Sequence, residues 1–220
     1  MRTLTLLLVL LPAIVPSAAR AQEPAASRDF QIESDSSWLR VLTYPDGPLR
    51  RFGHHHVVSH HGISGTVLVA PDPLDSRISI ELSVAGLVVD DPELRGMEGE
   101  DFEREISQKD IDGTRANMLG EKLLFVEQFP SIQIESKAIE GSLADATIVA
   151  SVSVKGLAQT VRFPASIELT DDAFVARGEL EITHGELGLS PFTAAGGALS
   201  VRDLMIFKYE IAGSRGTAGD

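Results

Sequence analysis

The stretch ATIVASVSVKGLAQTVRFPASIELTDDAFVARGELEI, residues 146–182, decides the fold of this chain. Apolar residues occupy every second position in three consecutive runs, which are separated by residues 156–159 and by Asp171-Asp172. A period of two is typical of half-buried β-strands, and the short links between the runs make neighbouring strands antiparallel. The stretch therefore predicts a β-meander with one apolar face. Further strands must cover that face, either as a sandwich or by closing the sheet into a barrel.

Strand patterns also lie on both sides of the meander. Residues 30–32 and 37–44 indicate one interrupted strand or two short ones. Alternating apolar residues predict further strands, which are Gly53–Ser59, Thr66–Ala70, Arg77–Val84, Ser131–Ile139 and Leu199–Ile211. The sequence thus predicts an all-β domain.

One helix interrupts this all-β pattern. Ser107 is placed to cap it, apolar residues follow at near-helical spacing, and Gly120 ends it. We expect this helix to lie over one opening of a barrel. The acidic stretch Asp90–Glu105, with its prolines and glycines, predicts a surface loop with one helical turn near Phe102–Ile106.

Composition narrows the classes of function. The 220 residues carry a net charge of −13 and include no cysteine. Nucleic acids and anionic membrane surfaces are poor partners for so acidic a chain, and neither disulfides nor thiol chemistry is available. Packing of the core must therefore stabilise the fold, and the length suits one domain.

The first residues predict a signal peptide, residues 1–21, with cleavage after Ala21. Its apolar run, Leu4–Val15, is too short to span a bilayer as a helix. We expect a linker at 22–28, a β-domain at 29–212 and a disordered tail at 213–220. The protein is thus predicted to be exported to the periplasm or secreted.

No catalytic constellation is visible in the sequence. Ser59 and Ser64 lie near histidines but in no Gly-x-Ser-x-Gly context. The acid pairs Asp90-Asp91 and Asp171-Asp172, and the charged run 98–105, are interpreted as solvated turns and loops. We therefore expect a binding protein and not an enzyme.

Three segments carry a resemblance to a known family: GTVLVAPD at 65–72, FVEQFPSIQIES at 125–136 and VSVKGLAQTVRFP at 152–164. In this order and spacing they resemble the YceI-like family of exported, lipocalin-like proteins implicated in binding polyisoprenoids and other long amphiphiles. The resemblance implies an antiparallel eight-stranded lipocalin-like barrel, and we expect a short helical insertion around residues 100–120.

The interior of such a barrel is the candidate binding site. Eight strands leave room either for side chains alone or for one small ligand, and the residues by themselves keep both alternatives open. The resemblance favours a lumen that binds a polyisoprenoid, a quinone or a similar lipid. The inward positions predicted to line the apolar tail are Ile78, Ile80, Leu82, Ile148, Val152, Phe163, Phe174 and Leu180.

The histidines are the second candidate site, because five of the six lie between residues 54 and 61. A strand through Gly53–Ser59 puts His54 and His56 on one face, where they could orient the polar end of a ligand. Alternatively, they could bind a divalent metal or haem iron with His184 as a third ligand. His55, His60 and His61 are expected to be exposed. A structural or stress-related barrel without a small ligand is a third alternative, and a homodimer stays open.

Overall fold

The computed structural model describes residues 26–216, and most of them belong to a β-barrel. The predicted signal peptide and its cleavage site lie outside the described residues. The helices are α1 (Pro92–Gly96) and α2 (Gln108–Leu119). The strands are β1 (Arg28–Ile32), β2 (Trp38–Thr43), β3 (Pro45–Asp46), β4 (His56–His61), β5 (Ser64–Val69), β6 (Arg77–Ser83), β7 (Val88–Val89), β8 (Ser131–Ser142), β9 (Asp145–Val154), β10 (Leu157–Leu169), β11 (Ala173–Thr183), β12 (Thr193–Ala194), β13 (Leu199–Val201) and β14 (Leu204–Arg215).

The sheet closes on itself, because β1 pairs with β5 on one side and with β14 on the other. Around the wall the hydrogen-bonded order is β1, β5, β6, β8, β9, β10, β11 and β14, and every pairing is antiparallel. The predicted eight-stranded antiparallel barrel is therefore confirmed. The three strands of the meander, β9 to β11, form its most regular part.

Two strands of the barrel wall are each interrupted and continue after a short break. β1 and β2 both pair with β14, and the residues between them form a short 3-10 turn. The buried Ser37 hydroxyl bonds to the backbone of β14 at this break, since it accepts from Ala212 N at 3.0 Å and donates to Ala212 O at 3.2 Å. β4 and β5 are likewise separated at Gly62-Ile63, so each pair serves as one bent strand of the barrel.

The helix α2 begins and ends where the sequence predicts. Ser107 is its N-cap and accepts a hydrogen bond from Asp110 N, and Gly120 follows its last residue. Met118 and Ile111 of α2 belong to the cluster at one end of the barrel, together with Leu87 and Leu187. The helix therefore packs at an end of the barrel, as expected. Within residues 26–216 no helix is long and apolar enough to cross a lipid bilayer.

The barrel domain is longer than predicted at both ends. β1 begins at Arg28, inside the predicted linker, and β14 continues to Arg215, inside the predicted disordered tail. Phe30–Ile32 pair with residues 213–215, so the last residues of strand β14 close the barrel. The predicted boundaries were wrong here because residues 213–216 carry no apolar alternation, whereas backbone pairing does not require it.

The acidic stretch after β7 has a helical turn close to the predicted place, at Glu100–Phe102, but the stretch is less solvated than its composition predicts. It forms α1 and a 3-10 turn, and Asp90, Arg95 and Phe102 are buried. Phe102 packs with Leu42 and Val57 in a small apolar cluster. Leu42 and Val57 alternate with lumen residues along β2 and β4, so they need a cover outside the barrel.

Candidate functional site

The barrel encloses a cavity of about 270 Å³. Residues from every long strand line it, and Met118 and Leu124 line it at the α2 end. Several inward side chains, among them Ile80, Phe163 and Leu180, are only half-buried although they point into the barrel. These side chains do not fill the interior, so packing leaves a cavity inside the barrel.

The cavity wall is almost wholly apolar. Within residues 26–216, its lining side chains with nitrogen or oxygen atoms are Thr43, Ser76, His184 and Tyr209, and no acidic residue, lysine or arginine of this part lines it. The Tyr209 hydroxyl already donates to Pro164 O at 2.8 Å, and burial raises the pKa of Tyr209. Such a wall suits an uncharged apolar chain, because an ion inside it would lose hydration without gaining a counter-charge.

All eight predicted inward residues lie in the wall of this cavity. Alternation along the strands brings them together from four different strands: Ile78, Ile80, Leu82, Ile148, Val152, Phe163, Phe174 and Leu180. Whether they contact a ligand stays a prediction, since the structure contains only the protein.

His184 is the histidine that reaches this cavity. It follows β11 and is buried, and its Nδ1 lies 2.8 Å from the backbone oxygen of Asp203. A carbonyl oxygen can only accept, so a neutral His184 carries its proton on Nδ1 and leaves Nε2 as an acceptor. His184, Thr43 and Ser76 are among the residues that line the cavity, whose surface is nonetheless almost wholly apolar.

His54 and His56 do not line the cavity. β4 begins only at His56, and the two imidazole rings lie 6.0 Å apart at 80° to one another. His56 Nδ1 is 2.6 Å from Asp90 Oδ2. The structure does not bring these two residues together with His184, and within residues 26–216 no group of three His, Cys, Asp or Glu side chains could hold a metal ion. Metal binding by the histidines stays a prediction without structural support.

Two of the three remaining histidines are less exposed than predicted. His60 is 1% exposed, and its Nε2 lies 2.9 Å from Ser83 O against Gly86. His55 is half-buried between Tyr44 and Phe102. The burial of His55 escaped the sequence because Phe102, from the segment after β7, packs against it. The burial of His60 escaped it because β4 continues to His61 and Gly86 packs against the His60 ring. His61 is exposed, as expected.

A buried ion network joins β4 to the segment after β7, and nothing in the sequence indicated it. Asp90 Oδ1 accepts from Arg95 Nη1 at 2.6 Å and from Val57 N at 3.0 Å, while Oδ2 faces His56. Burial by itself would raise the pKa of Asp90, but its bonds to His56, Val57 and Arg95 outweigh that effect and lower the pKa. Asp90 is therefore a charged, structural residue.

A second network anchors the same segment. The Glu98 carboxylate, whose side chain is 2% exposed, accepts from Arg40 at 3.0 Å and from Lys208 at 2.6 Å. Burial again acts to raise the pKa of Glu98, and the bonds from Lys208 and Arg40 prevail and lower it. Both networks hold the outer segment against β2, β4 and β14.

Comparison with known proteins agrees with this architecture. A family model described as "YceI-like domain" matches residues 31–210. The chain belongs to the YceI-like family. A comparison with curated proteins found no match.

Solved structures share the fold at low sequence identity. BcnA of Burkholderia cenocepacia is 13% identical with a TM-score of 0.59, over 82% of this chain and 98% of BcnA. The Campylobacter jejuni YceI protein is 8% identical with a TM-score of 0.51, over 70% of this chain and 82% of its own. A mutant of the latter was crystallised with a monobromobimane guest and gives the same values of 8% and 0.51. At these identities the likeness shows the fold alone.

Proposed function

We propose that this YceI-like barrel is an exported, periplasmic carrier that binds the apolar chain of a long amphiphile, such as a polyisoprenoid or a quinone, in its lumen. The observation that supports the proposal is an uncharged cavity of about 270 Å³ enclosed by apolar side chains. Burying each methylene of such a chain contributes about 0.8 kcal/mol. The proposed role is binding, and no catalytic step is assigned.

The size of the cavity limits how much of the ligand it holds. Its 270 Å³ lies just below the range of about 300–1,000 Å³ typical of pockets for drug-sized ligands. A short apolar chain or one segment of a longer chain therefore fits without rearrangement. A complete long isoprenoid would leave its remainder outside the barrel or would move the inward side chains apart.

The polar end of the ligand is proposed to contact His184. The role expected for His54 and His56 passes to His184 because they lie away from the lumen, whereas His184 lines it. Its Nε2 can accept a hydrogen bond from a hydroxyl or a quinol group. An ionised head group would lie outside, where water solvates it.

Native mass spectrometry of untagged protein exported by a bacterial host tests the proposal. We expect an added mass that organic extraction removes and that identifies the lipid. Leu180→Trp fills part of the lumen and should reduce the loaded fraction about tenfold, whereas the adjacent outward Glu179→Trp should leave it unchanged.

Urea unfolding of both variants separates a blocked lumen from a misfolded barrel. Equal lipid loading of folded Leu180→Trp and wild-type protein would place the lipid elsewhere and contradict the proposal. Bare protein that also fails to bind added lipid would contradict it too. An added mass removed by a chelator, and not by solvent, would favour the metal-binding alternative.

A further inference from the structure

A second cavity lies apart from the lumen and is lined by basic side chains. Its volume is about 210 Å³, and it shares no lining residue with the lumen cavity. We call it the arginine pocket; its wall consists of Pro45, Arg50, Arg51, Gly53, His54, His55, Arg95, Asp101 and Arg104. The apolar ligand proposed for the lumen would not bind in this pocket, because the pocket is lined by charged side chains and the lumen is not.

The arginine pocket concentrates positive charge in an acidic chain. Among the described residues, four arginines and one acid, Asp101, line it, and one of the arginines, Arg95, is paired with Asp90 behind the wall. Three arginines thus face one acid, although the whole chain carries a net charge of −13. Within residues 26–216, Arg50, Arg51 and Arg104 form no ion pair. Like charges held around a concave surface repel one another and attract an anion.

Arg95 provides a fixed, buried guanidinium in the pocket wall. It is 7% exposed, and its Nη1 donates to Asp90 Oδ1 and to His55 O, both at 2.6 Å. Its Nη2 donates to Arg104 O at 2.9 Å. A guanidinium has five N–H groups, so Arg95 keeps donors for which the described part of the chain offers no acceptor. Asp90 is the counter-charge of Arg95, so the net positive charge of the pocket comes from the other three arginines.

Two of the exposed arginines, Arg50 and Arg51, lie on a structured loop. A 3-10 turn, Arg50–Phe52, precedes Gly53, and the Arg51 guanidinium stacks on Phe52 at 4.6 Å from the ring centroid. A Cβ atom at Gly53 would lie 2.6 Å from Pro45 Cβ, so the loop packs tightly against β3. This arrangement lowers the conformational entropy that anion binding would otherwise cost.

We propose that the arginine pocket binds a phosphate-type oxyanion, either free or as the head group of a lipid. Guanidinium groups match the oxygens of such an anion in bidentate geometry, and several around one cavity favour an anion of more than one charge. The pocket is about seven times the ~30 Å³ share of one water molecule, which is enough for a phosphate group.

Titration with inorganic phosphate at constant ionic strength, held by sodium chloride, tests the proposal. We expect saturable heat by calorimetry and amide shifts in NMR spectra confined to the loop around Gly53 and to the segment around Arg104. The double variant Arg50→Gln/Arg104→Gln should bind phosphate at least about tenfold more weakly. The matched control, Arg162→Gln/Arg177→Gln, removes two exposed arginines from the barrel wall and should bind as wild type.

Vesicles distinguish the two sources of the phosphate group. Binding to phosphatidic acid vesicles, but not to phosphatidylcholine vesicles, with competition by free phosphate would assign the lipid head group. Binding of free phosphate without vesicle binding would assign the free anion. No saturable binding in either arm, or equal loss in the pocket and control variants, would overturn the proposal. Leu180→Trp should retain phosphate binding, so failure of the lumen proposal is recognised separately.

Discussion

Asp90 shows how one side chain can hold two parts of this fold together. It adopts a positive φ of 57°, which is uncommon for a residue other than glycine, and its side chain is wholly buried. Its carboxylate bonds to His56, Val57 N and Arg95. These bonds outweigh both the backbone strain and the loss of hydration.

Asp90→Asn should therefore lower the free energy of unfolding by about 3 kcal/mol, because it leaves the Arg95 guanidinium buried without its counter-charge. Urea unfolding measures this change as a lower midpoint concentration with an unchanged m-value, which is the dependence of the free energy of unfolding on urea concentration. Asp171→Asn is the matched control, since its exposed carboxylate pairs with Arg28 at the surface and its loss should cost less than about 1 kcal/mol. Equal effects of the two substitutions would contradict the structural role of Asp90.

His60 makes the stability of the barrel depend on pH. Burial lowers its pKa, and its buried Nδ1 has no hydrogen-bond partner among the described residues, so a second proton on Nδ1 would find no acceptor. The unfolded chain then binds this proton at a higher pH than the folded chain. The contribution of His60 to stability is present above the ordinary histidine pKa of about 6.5 and is lost as the pH falls below it.

His60→Gln should flatten this part of the pH dependence, because the amide can still donate to Ser83 O but does not titrate. Urea midpoints measured at several values between about pH 7 and pH 5 would show the difference from wild type. The exposed neighbour provides the control, and His61→Gln should keep the wild-type slope. An unchanged slope in His60→Gln would mean that His60 is not the group responsible.

At the level of elements, β10 and β11 separate along part of their length. They pair only from Ser166 to Leu169, opposite Arg177 to Phe174, and diverge towards His184. Tyr209 of β14 lies opposite Gly178, and its hydroxyl crosses the glycine to reach Pro164 O on β10. The missing side chain at Gly178 is what permits this bridge across the gap.

Gly178→Ala should destabilise the barrel by about 2 kcal/mol. The new Cβ would lie 2.1 Å from Pro164 O and 2.5 Å from the Tyr209 hydroxyl, so the bridge must move. Gly113→Ala in α2 is the contrasting control, because nothing lies within 4 Å of its Cβ. It should stabilise the protein by up to about 1 kcal/mol through helix propensity. Thermal unfolding that shifts in the same direction for both would refute this account.

Sequence patterns were enough to predict some elements of this fold but not the segment after β7. The period of two placed β9, β10 and β11 and their inward faces, and the cap at Ser107 placed α2. The segment after β7 was misjudged because its charged residues are typical of a solvated loop. Their partners, Arg40 and Lys208 for Glu98, lie on distant strands and become visible only in the folded chain.

For the whole molecule, closure depends on the pairing of β1 with the end of β14. Gly213 lies against Phe174, where a Cβ would be 2.3 Å from the ring, and Arg215 N donates to Asp172 O at 2.8 Å. Residues 213–215 thus belong to the barrel wall and pair with Phe30–Ile32. Without them the first and last strands keep fewer hydrogen bonds at this seam.

A chain that ends at Ala212 should therefore unfold at a lower urea concentration than one that ends at Gly216. We expect a loss of roughly 2 kcal/mol or more, at about 1 kcal/mol for each lost ladder bond. The chain ending at Gly216 should match the full-length protein, because it keeps the whole of β14. Equal midpoints for the two shortened chains would show that the seam contributes nothing.

The sequence by itself determined the strand pattern, the inward residues of the lumen, the helix α2 and membership of the YceI-like family. The strands, the inward residues and the helix depend on alternation and spacing within short segments, which the printed residues display directly. Membership of the family depends on the resemblance of whole segments and on the family model that matches residues 31–210. Tertiary structure alone decided the closure by β14, the separation of His184 from His54 and His56, and the arginine pocket. Each of these joins segments far apart in the chain, and the register of the closed barrel decides which of them meet.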